Sequence, residues 1–205
     1  MLKVYYADIS GLDDSGEYPL SEYRRSRMRA QRLPERRTAS CAAELLLIHA
    51  LREYRTDIEL PLDIGCGKCG KPALRGEEVF FSLSHSGRMV SAAVCDRETG
   101  VDIQQSAKYE PAVVKRFFAR DEQAYIEAAE DKDAAYTRIW CMKESYIKAV
   151  GTGMHIPLNS FSVMDFTDVW HCTLDGYTLA VCVPGARCVR PDSVKRLDGK
   201  ELLSF

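Results

Sequence analysis

The chain has 205 residues, 46% hydrophobic and 28% charged, the balance of a globular domain, which excludes a disordered tail, a collagen-like repeat and a low-complexity segment. Twenty-eight Lys plus Arg against 30 Asp plus Glu leave a formal charge of -2, so the whole molecule has no strong pull toward nucleic acid or an anionic membrane, and any anion site must be local. Apolar stretches such as Leu45 to Ala50 fall far short of the ~20 residues that a membrane span requires.

The opening Met1-Leu2-Lys3-Val4-Tyr5-Tyr6-Ala7-Asp8 reaches an acid early and has no apolar signal-peptide core, so a cytoplasmic protein is expected. Lys3 to Ile9 reads as a strand, followed by the turn-rich run Ser10 to Gly16. From Ser21 to Leu33 the pattern is helical and basic, and Thr38 is expected to cap a core-facing helix carrying Ala42, Leu45, Leu46, His49, Ala50 and Tyr54. Leu60 to Gly76 reads as a loop-rich connection. Strands are expected over Val79 to Leu83, Met89 to Cys95 and Thr99 to Ile103. Pro111 opens a helix, Arg120 starts another, and Ala134 to Val150 is expected to be the longest, ended by Gly151 and Gly153. Phe161 to Val163, Val169 to Leu174 and Tyr177 to Val183 read as antiparallel strands, with Asp175-Gly176 as a hairpin turn. This order predicts an α+β fold of two halves, 1–98 and 99–205, each with helices and a small antiparallel sheet, and any shared site at their junction.

Eight cysteines in a reducing compartment should be mostly small buried thiols. Cys66-Gly67-Lys68-Cys69 has the spacing of half a zinc site or of a redox loop, with no second Cys or His pair to complete a finger.

Four segments carry groups fit for chemistry. In Gly100-Val101-Asp102-Ile103-Gln104, strand alternation puts Asp102 and Gln104 on one side, and paired oxygen tips suit a hard cation with phosphate; a solvated strand face is the plainer alternative. Trp140, Glu144 and Lys148 share one helix face. A surface ion pair would explain the last two, but a Trp on the same face argues that it is covered. Phe81-Ser82-Leu83-Ser84-His85-Ser86-Gly87 places a His and hydroxyls at a strand exit. The run Arg24 to Arg37 holds seven Arg and one Glu, and Arg forks suit phosphate.

In this order the segments resemble the 4′-phosphopantetheinyl transferase superfamily, in particular its Sfp-type branch. Phe81 to Gly87 is similar to the motif F-N-[LI]-S-H-S, Gly100 to Ile103 to G-[IV]-D-[IL]-E, and Trp140 to Lys148 to W-x-x-K-E-[SA]-x-x-K, with Gly151 and Gly153 following. The resemblance implies a monomer of two similar halves related by a pseudo-twofold, with coenzyme A in the cleft between them. Its implied reaction moves 4′-phosphopantetheine from coenzyme A to a serine of an apo acyl or peptidyl carrier protein, as in secondary metabolite biosynthesis, and releases adenosine 3′,5′-bisphosphate. No nucleic-acid or membrane partner is implied.

By the same resemblance Asp102 and Glu144, with Gln104 as a further ligand, would hold Mg²⁺. Glu144 or a metal-bound water would take the serine proton, and Lys148 would stabilise or protonate the leaving phosphate. Ser84 and His85 would contact coenzyme A phosphates, Gly70, Lys71 and Pro72 would border the adenine, Arg24 and Arg27 would meet the 3′-phosphate, and Lys143 would contact phosphate. The sequence departs from the family pattern at Gln104, where the motif has Glu, and at Ser82, where it has Asn. A family arginine aligns near Ala39, so Arg36 or Arg37, with Arg37 preferred, is expected to replace it from a shifted position. The neutral Gln104 leaves a second reading open, a coenzyme A-binding module without catalysis.

Overall fold

The computed structural model describes residues 1–204. In chain order the elements are β1 (Leu2–Asp8), α1 (Glu22–Ala30), α2 (Pro34–Tyr54), a short hairpin of β2 (Ile64–Cys66) and β3 (Pro72–Leu74), β4 (Phe80–Ser86), β5 (Met89–Cys95) and β6 (Gly100–Gln105). There follow α3 (Pro111–Phe117), α4 (Arg120–Ala128), α5 (Lys132–Val150), β7 (Val169–Leu174), β8 (Tyr177–Cys182), β9 (Ser193–Leu197) and α6 (Gly199–Leu203). The α+β class expected from the sequence is the class observed.

Local chemistry sets most boundaries. The Ser21 hydroxyl accepts from Arg24 N at 3.1 Å and so caps α1. α2 begins at Pro34 rather than at a cap on Thr38, because proline at the first helical position gives up no needed donor. Thr38 lies inside the helix and donates its hydroxyl to Pro34 O at 3.2 Å. At 21 residues, α2 is longer than the 19 of α5, contrary to the sequence expectation. The Asp131 carboxylate starts α5 by accepting from Ala134 N at 2.9 Å. Gly151, at φ 70°, ends it in the left-handed conformation that glycine adopts without steric cost.

Two sheets form. The first has the order β4-β5-β1-β9, and the second β6-β8-β7. β5 pairs antiparallel with both β1 and β4, so α2 packs on a face built by Tyr5, Ala7, Phe81, Val90, Ala92 and Val94. In the second sheet β8 pairs antiparallel with β6 and β7, and Asp175-Gly176 makes the β7–β8 turn as expected. A separate core of Leu2, Val4, Met89, Val101, Ile103, Leu179 and Val181 lies between the sheets. Each such buried aliphatic chain contributes roughly 1.5–3 kcal/mol, and together they hold β6 beside β4.

Three segments differ from the sequence expectation. The stretch 60–76 contains the β2–β3 hairpin. Phe161 to Val163 is not a strand: Phe161 O accepts from Lys143 Nζ at 2.7 Å and Val163 N donates to Glu122 at 2.9 Å, so these backbone groups are satisfied by side chains instead of a ladder. The C-terminal segment adds β9, which pairs parallel with β1, and α6, whose buried Leu202 joins the α2 core. The charged sequence Ser193-Val194-Lys195-Arg196-Leu197 suits an exposed edge strand and gives little apolar signal. Because of this return, the sheets do not divide cleanly at residues 98 and 99.

Candidate active site

β6 lies against α5 because Gly100 has no side chain. A Cβ there would sit 2.0 Å from Ser145 O and 2.3 Å from Ala149 N. Alternation along β6 sends Val101 and Ile103 into the inter-sheet core and turns Asp102 the other way, toward β4 and α5. Asp102 is 5% exposed. Its Oδ1 accepts from Lys148 Nζ at 2.6 Å and from Ser84 Oγ at 2.7 Å. Its Oδ2 is buried with no hydrogen-bond partner, an unusual condition for a carboxylate oxygen.

Glu144 lies one helical turn before Lys148, and its carboxylate makes no hydrogen bond or ion pair with a described residue. Burial, together with the Asp102 charge and against the opposing pull of Lys148, raises the Glu144 carboxyl above its ordinary range. Lys148 thus pairs across the seam with Asp102 and not along the helix with Glu144. Trp140, on the same face, is covered as expected: its ring packs against Phe117 and Phe118, 6.1 Å from each.

Glu144 and Lys148 face a cleft of about 400 Å³ that is also lined by Tyr23, Arg24, Arg27, Gly70, Lys71, Pro72, Ser84 and His85. The residues lining it come from α1, the β2–β3 turn and the start of β3, β4 and α5, with Ala43 of α2 behind them. Arg24 is held by buried groups, with Nε 3.2 Å from Glu44 Oε2 and Nη1 3.2 Å from Ser40 Oγ. Glu44 also accepts from the Ser21 hydroxyl at 2.8 Å. Arg27 lies over the Tyr23 ring at 5.8 Å. His85 lies at the exposed edge of the cleft, where partial desolvation, then the charges of Lys148, Arg24 and Arg36 against that of Asp102, lowers its imidazole below the ordinary range.

Several expected site residues have other roles. Lys143 points away from the cleft and is fully buried, its Nζ 2.7 Å from both Glu122 oxygens and 2.7 Å from Phe161 O. It fastens α5 to α4 and to the 161–163 segment, and cannot contact phosphate there. Arg37 lies outside the cleft, with Nε 2.7 Å from Asp14 Oδ2; Arg36 is the residue that shares a surface hollow with His85. Lys71 lines the cleft, but its ammonium is bound to Glu98 Oε2 at 2.7 Å, Thr99 O at 2.9 Å and Ala149 O at 3.0 Å. The Ser84 hydroxyl likewise serves Asp102. Gln104 is half-buried on β6 and does not line the cleft.

Sequence reasoning missed Tyr23 and Glu44, and of the pair Arg36 or Arg37 it preferred the one that lies outside the cleft. Glu44 had a readable signal, since an isolated acid inside Ala42-Ala43-Glu44-Leu45-Leu46-Leu47 must be buried and therefore paired.

Among the described residues Asp102 and Glu144 are the two carboxylates that meet beside Lys148, and no group of three or more His, Cys, Asp or Glu could hold a metal. Two nearby carboxylates, one with a buried unpartnered oxygen and the other without a hydrogen-bond partner among the described residues, still fit a hard cation that takes its remaining ligands from phosphate and water.

The family model of the 4′-phosphopantetheinyl transferase superfamily matches residues 98–180. The 4′-phosphopantetheinyl transferase Sfp of Bacillus subtilis is 35% identical over 116 residues, covering 55% of this chain and 51% of that protein. The 4′-phosphopantetheinyl transferase psf-1 of Bacillus pumilus is 37% identical over 123 residues, covering 58% and 52%. The chain therefore spans about half the length of these relatives. The 4′-phosphopantetheinyl transferase AcpT of Salmonella typhimurium is 31% identical over 168 residues, covering 78% of this chain and 84% of that protein. With the three motif segments gathered around one cleft and a relative matched over most of its length, the chain belongs to the 4′-phosphopantetheinyl transferase superfamily and is of the Sfp type.

Proposed function

We propose that the protein transfers 4′-phosphopantetheine from coenzyme A to a serine of an apo acyl or peptidyl carrier protein. The observation that carries this reading is the set formed by Asp102, Glu144 and Lys148 at the mouth of an arginine-bearing cleft. Asp102 through Oδ2, and Glu144, would hold Mg²⁺, with Gln104 reaching it only through water. The cation supplies charge neutralisation at the pyrophosphate when bound.

The chain's own residues account for the rest. Arg24 and Arg27 offer guanidinium groups to the 3′-phosphate, with His85 and Arg36 flanking it, and Gly70 to Pro72 border the adenine. The carrier serine oxygen forms a bond to the phosphorus that bears the pantetheine arm, and the bond from that phosphorus to the adenosine-side phosphate oxygen breaks. Glu144, or a water beside it, would accept the serine proton. Lys148 offsets charge on the departing adenosine 3′,5′-bisphosphate.

We also infer a monomer of two similar halves, 1–98 and 99–205, related by a pseudo-twofold, with the last strand crossing back. Support comes from the one long helix laid on an antiparallel pair in each half, α2 and α5. We also propose a cytoplasmic site of action; no helix among the described residues is long and apolar enough to cross a membrane.

Intact-protein mass spectrometry of apo carrier proteins incubated with the protein and coenzyme A, with and without Mg²⁺, tests this reading. A cation-dependent gain of one phosphopantetheine is the expected result. No gain on any carrier while coenzyme A still binds overturns it in favour of a binding module, for which Gln104→Glu is the next variant.

A further inference from the structure

We propose that Cys66 and Cys69 are a thiol-modification site, forming a reversible disulfide that alters the adjoining cleft wall. Both thiols are free and exposed, as is Cys188, which has no second exposed cysteine near it in sequence; Cys172 is half-buried, and Cys41, Cys95, Cys141 and Cys182 are buried. Burial pushes those four thiols up and leaves them poor nucleophiles, so oxidation is directed to the surface.

The pair occupies the β2–β3 turn. Cys66 is opposite Pro72, Gly67 N donates to Lys71 O at 2.6 Å, and Gly70 N donates to Gly67 O at 3.3 Å. Two residues separate the thiols across this chain reversal, the spacing of dithiol loops. Cys69 holds φ 51° and ψ 27°, a left-handed backbone that a residue with a β-carbon seldom adopts. Gly70 follows at φ 81°. This part of the turn is therefore the first to rearrange when a ring closes between positions 66 and 69.

Its rearrangement reaches the cleft directly. Cys69, Gly70, Lys71 and Pro72 are consecutive lining residues, and Lys71 Nζ ties the turn to Thr99 O ahead of β6 and to Ala149 O on α5. A low-molecular-weight disulfide is the oxidant. One cysteine thiolate attacks it, forming a mixed disulfide and expelling one thiolate. The second cysteine then attacks the protein sulfur of that mixed disulfide and expels the other. Two protein thiols lose two electrons and two protons, and the small disulfide leaves as two thiols.

The effect on the cleft rests on the proposed function only in taking coenzyme A as its ligand. The test treats the protein with oxidised glutathione, maps thiols by alkylation and peptide mass, and measures coenzyme A binding before and after, with Cys66→Ser alongside. The expected result is a loss of about two hydrogens in a Cys66–Cys69 linked peptide. The coenzyme A Kd should rise about tenfold, reversibly with dithiothreitol, and not respond to oxidant in Cys66→Ser. Free thiols at both positions after oxidation, stable glutathione adducts alone, or a linked pair with unchanged Kd would each overturn the proposal. Reduced protein that binds coenzyme A but modifies no carrier sinks the transferase reading and leaves this one standing, since neither readout needs transfer.

Discussion

Lys148 Nζ and Asp102 Oδ1 meet at 2.6 Å across the seam between α5 and β6, while Glu144, on the same helix face, has no partner of its own among the described residues. The arrangement separates two roles: the lysine holds Asp102 in place, and the free carboxylate remains available to a cation or a proton. Glu144→Gln and Lys148→Ala should each slow carrier modification by about 10²–10⁴-fold, the range for a positioned proton-transfer or charge-stabilising group. Glu144→Gln removes no hydrogen bond or ion pair with a described residue, whereas Lys148→Ala leaves the buried Asp102 carboxylate with Ser84 alone, so activity is compared at a temperature where circular dichroism shows both variants folded. Full activity in both variants would show that the chemistry lies elsewhere.

The Glu144 carboxyl also sets a pH dependence. Its folded value is raised from 4.5 by burial first and by Asp102 second, so in the window above 4.5 the folded state keeps a proton that the unfolded state has released. The stability this provides is present below that window and is lost as pH rises through the folded value. A divalent cation binding the ionised pair opposes the loss. At neutral pH, Mg²⁺ should raise the Tm of the parent protein, and Glu144→Gln should melt higher than the parent without cation and respond little to it. Equal Mg²⁺ responses, read by differential scanning fluorimetry, would remove Glu144 from the cation site.

Lys143 makes the contrasting case of a charge serving only the fold. Both it and Glu122 are fully buried, and breaking such a pair from one side leaves an uncompensated charge at a cost of about 3–5 kcal/mol. Lys143→Met should lower the urea midpoint accordingly, while the folded fraction binds coenzyme A with the parent Kd. A weakened Kd in still-folded protein would return Lys143 to the cleft.

The motif residues told where the cleft would be, because Asp102, Glu144, Lys148, Ser84 and His85 lie on elements whose periodicity was readable. What each side chain does was less legible. Lys143 and Glu144 are adjacent in sequence, and helical rotation alone sends one into the core and the other into the cleft; only the position of Glu122 reveals which. Arg36 and Arg37 are likewise adjacent, and it is the Asp14 carboxylate beside Arg37 that takes this arginine out of the cleft. The failures in the fold were of another kind. Phe161 to Val163 has a strand's composition but spends its backbone groups on Lys143 and Glu122, and β9 is a charged edge strand recruited by the distant β1, neither of which leaves a local pattern.

Gly100 shows how closely the site depends on packing. Its missing side chain leaves room for Ser145 O and Ala149 N, which a Cβ would approach to 2.0 and 2.3 Å. Both are helix backbone atoms and cannot swing aside as a side-chain tip would. Gly100→Ala must therefore push α5 off β6, at an overpacking cost of about 1–3 kcal/mol or somewhat more. Ser145 and Ala149 directly follow Glu144 and Lys148, so the displacement acts where those residues meet Asp102. Activity should fall by more than the stability loss explains, even at a temperature where the variant is fully folded. Gly199→Ala is the control, because a Cβ there meets nothing within 4 Å, and it should leave both Tm and transfer at parent levels. If Gly100→Ala retained parent activity once folded, the close approach of α5 to β6 would not be what aligns the carboxylates.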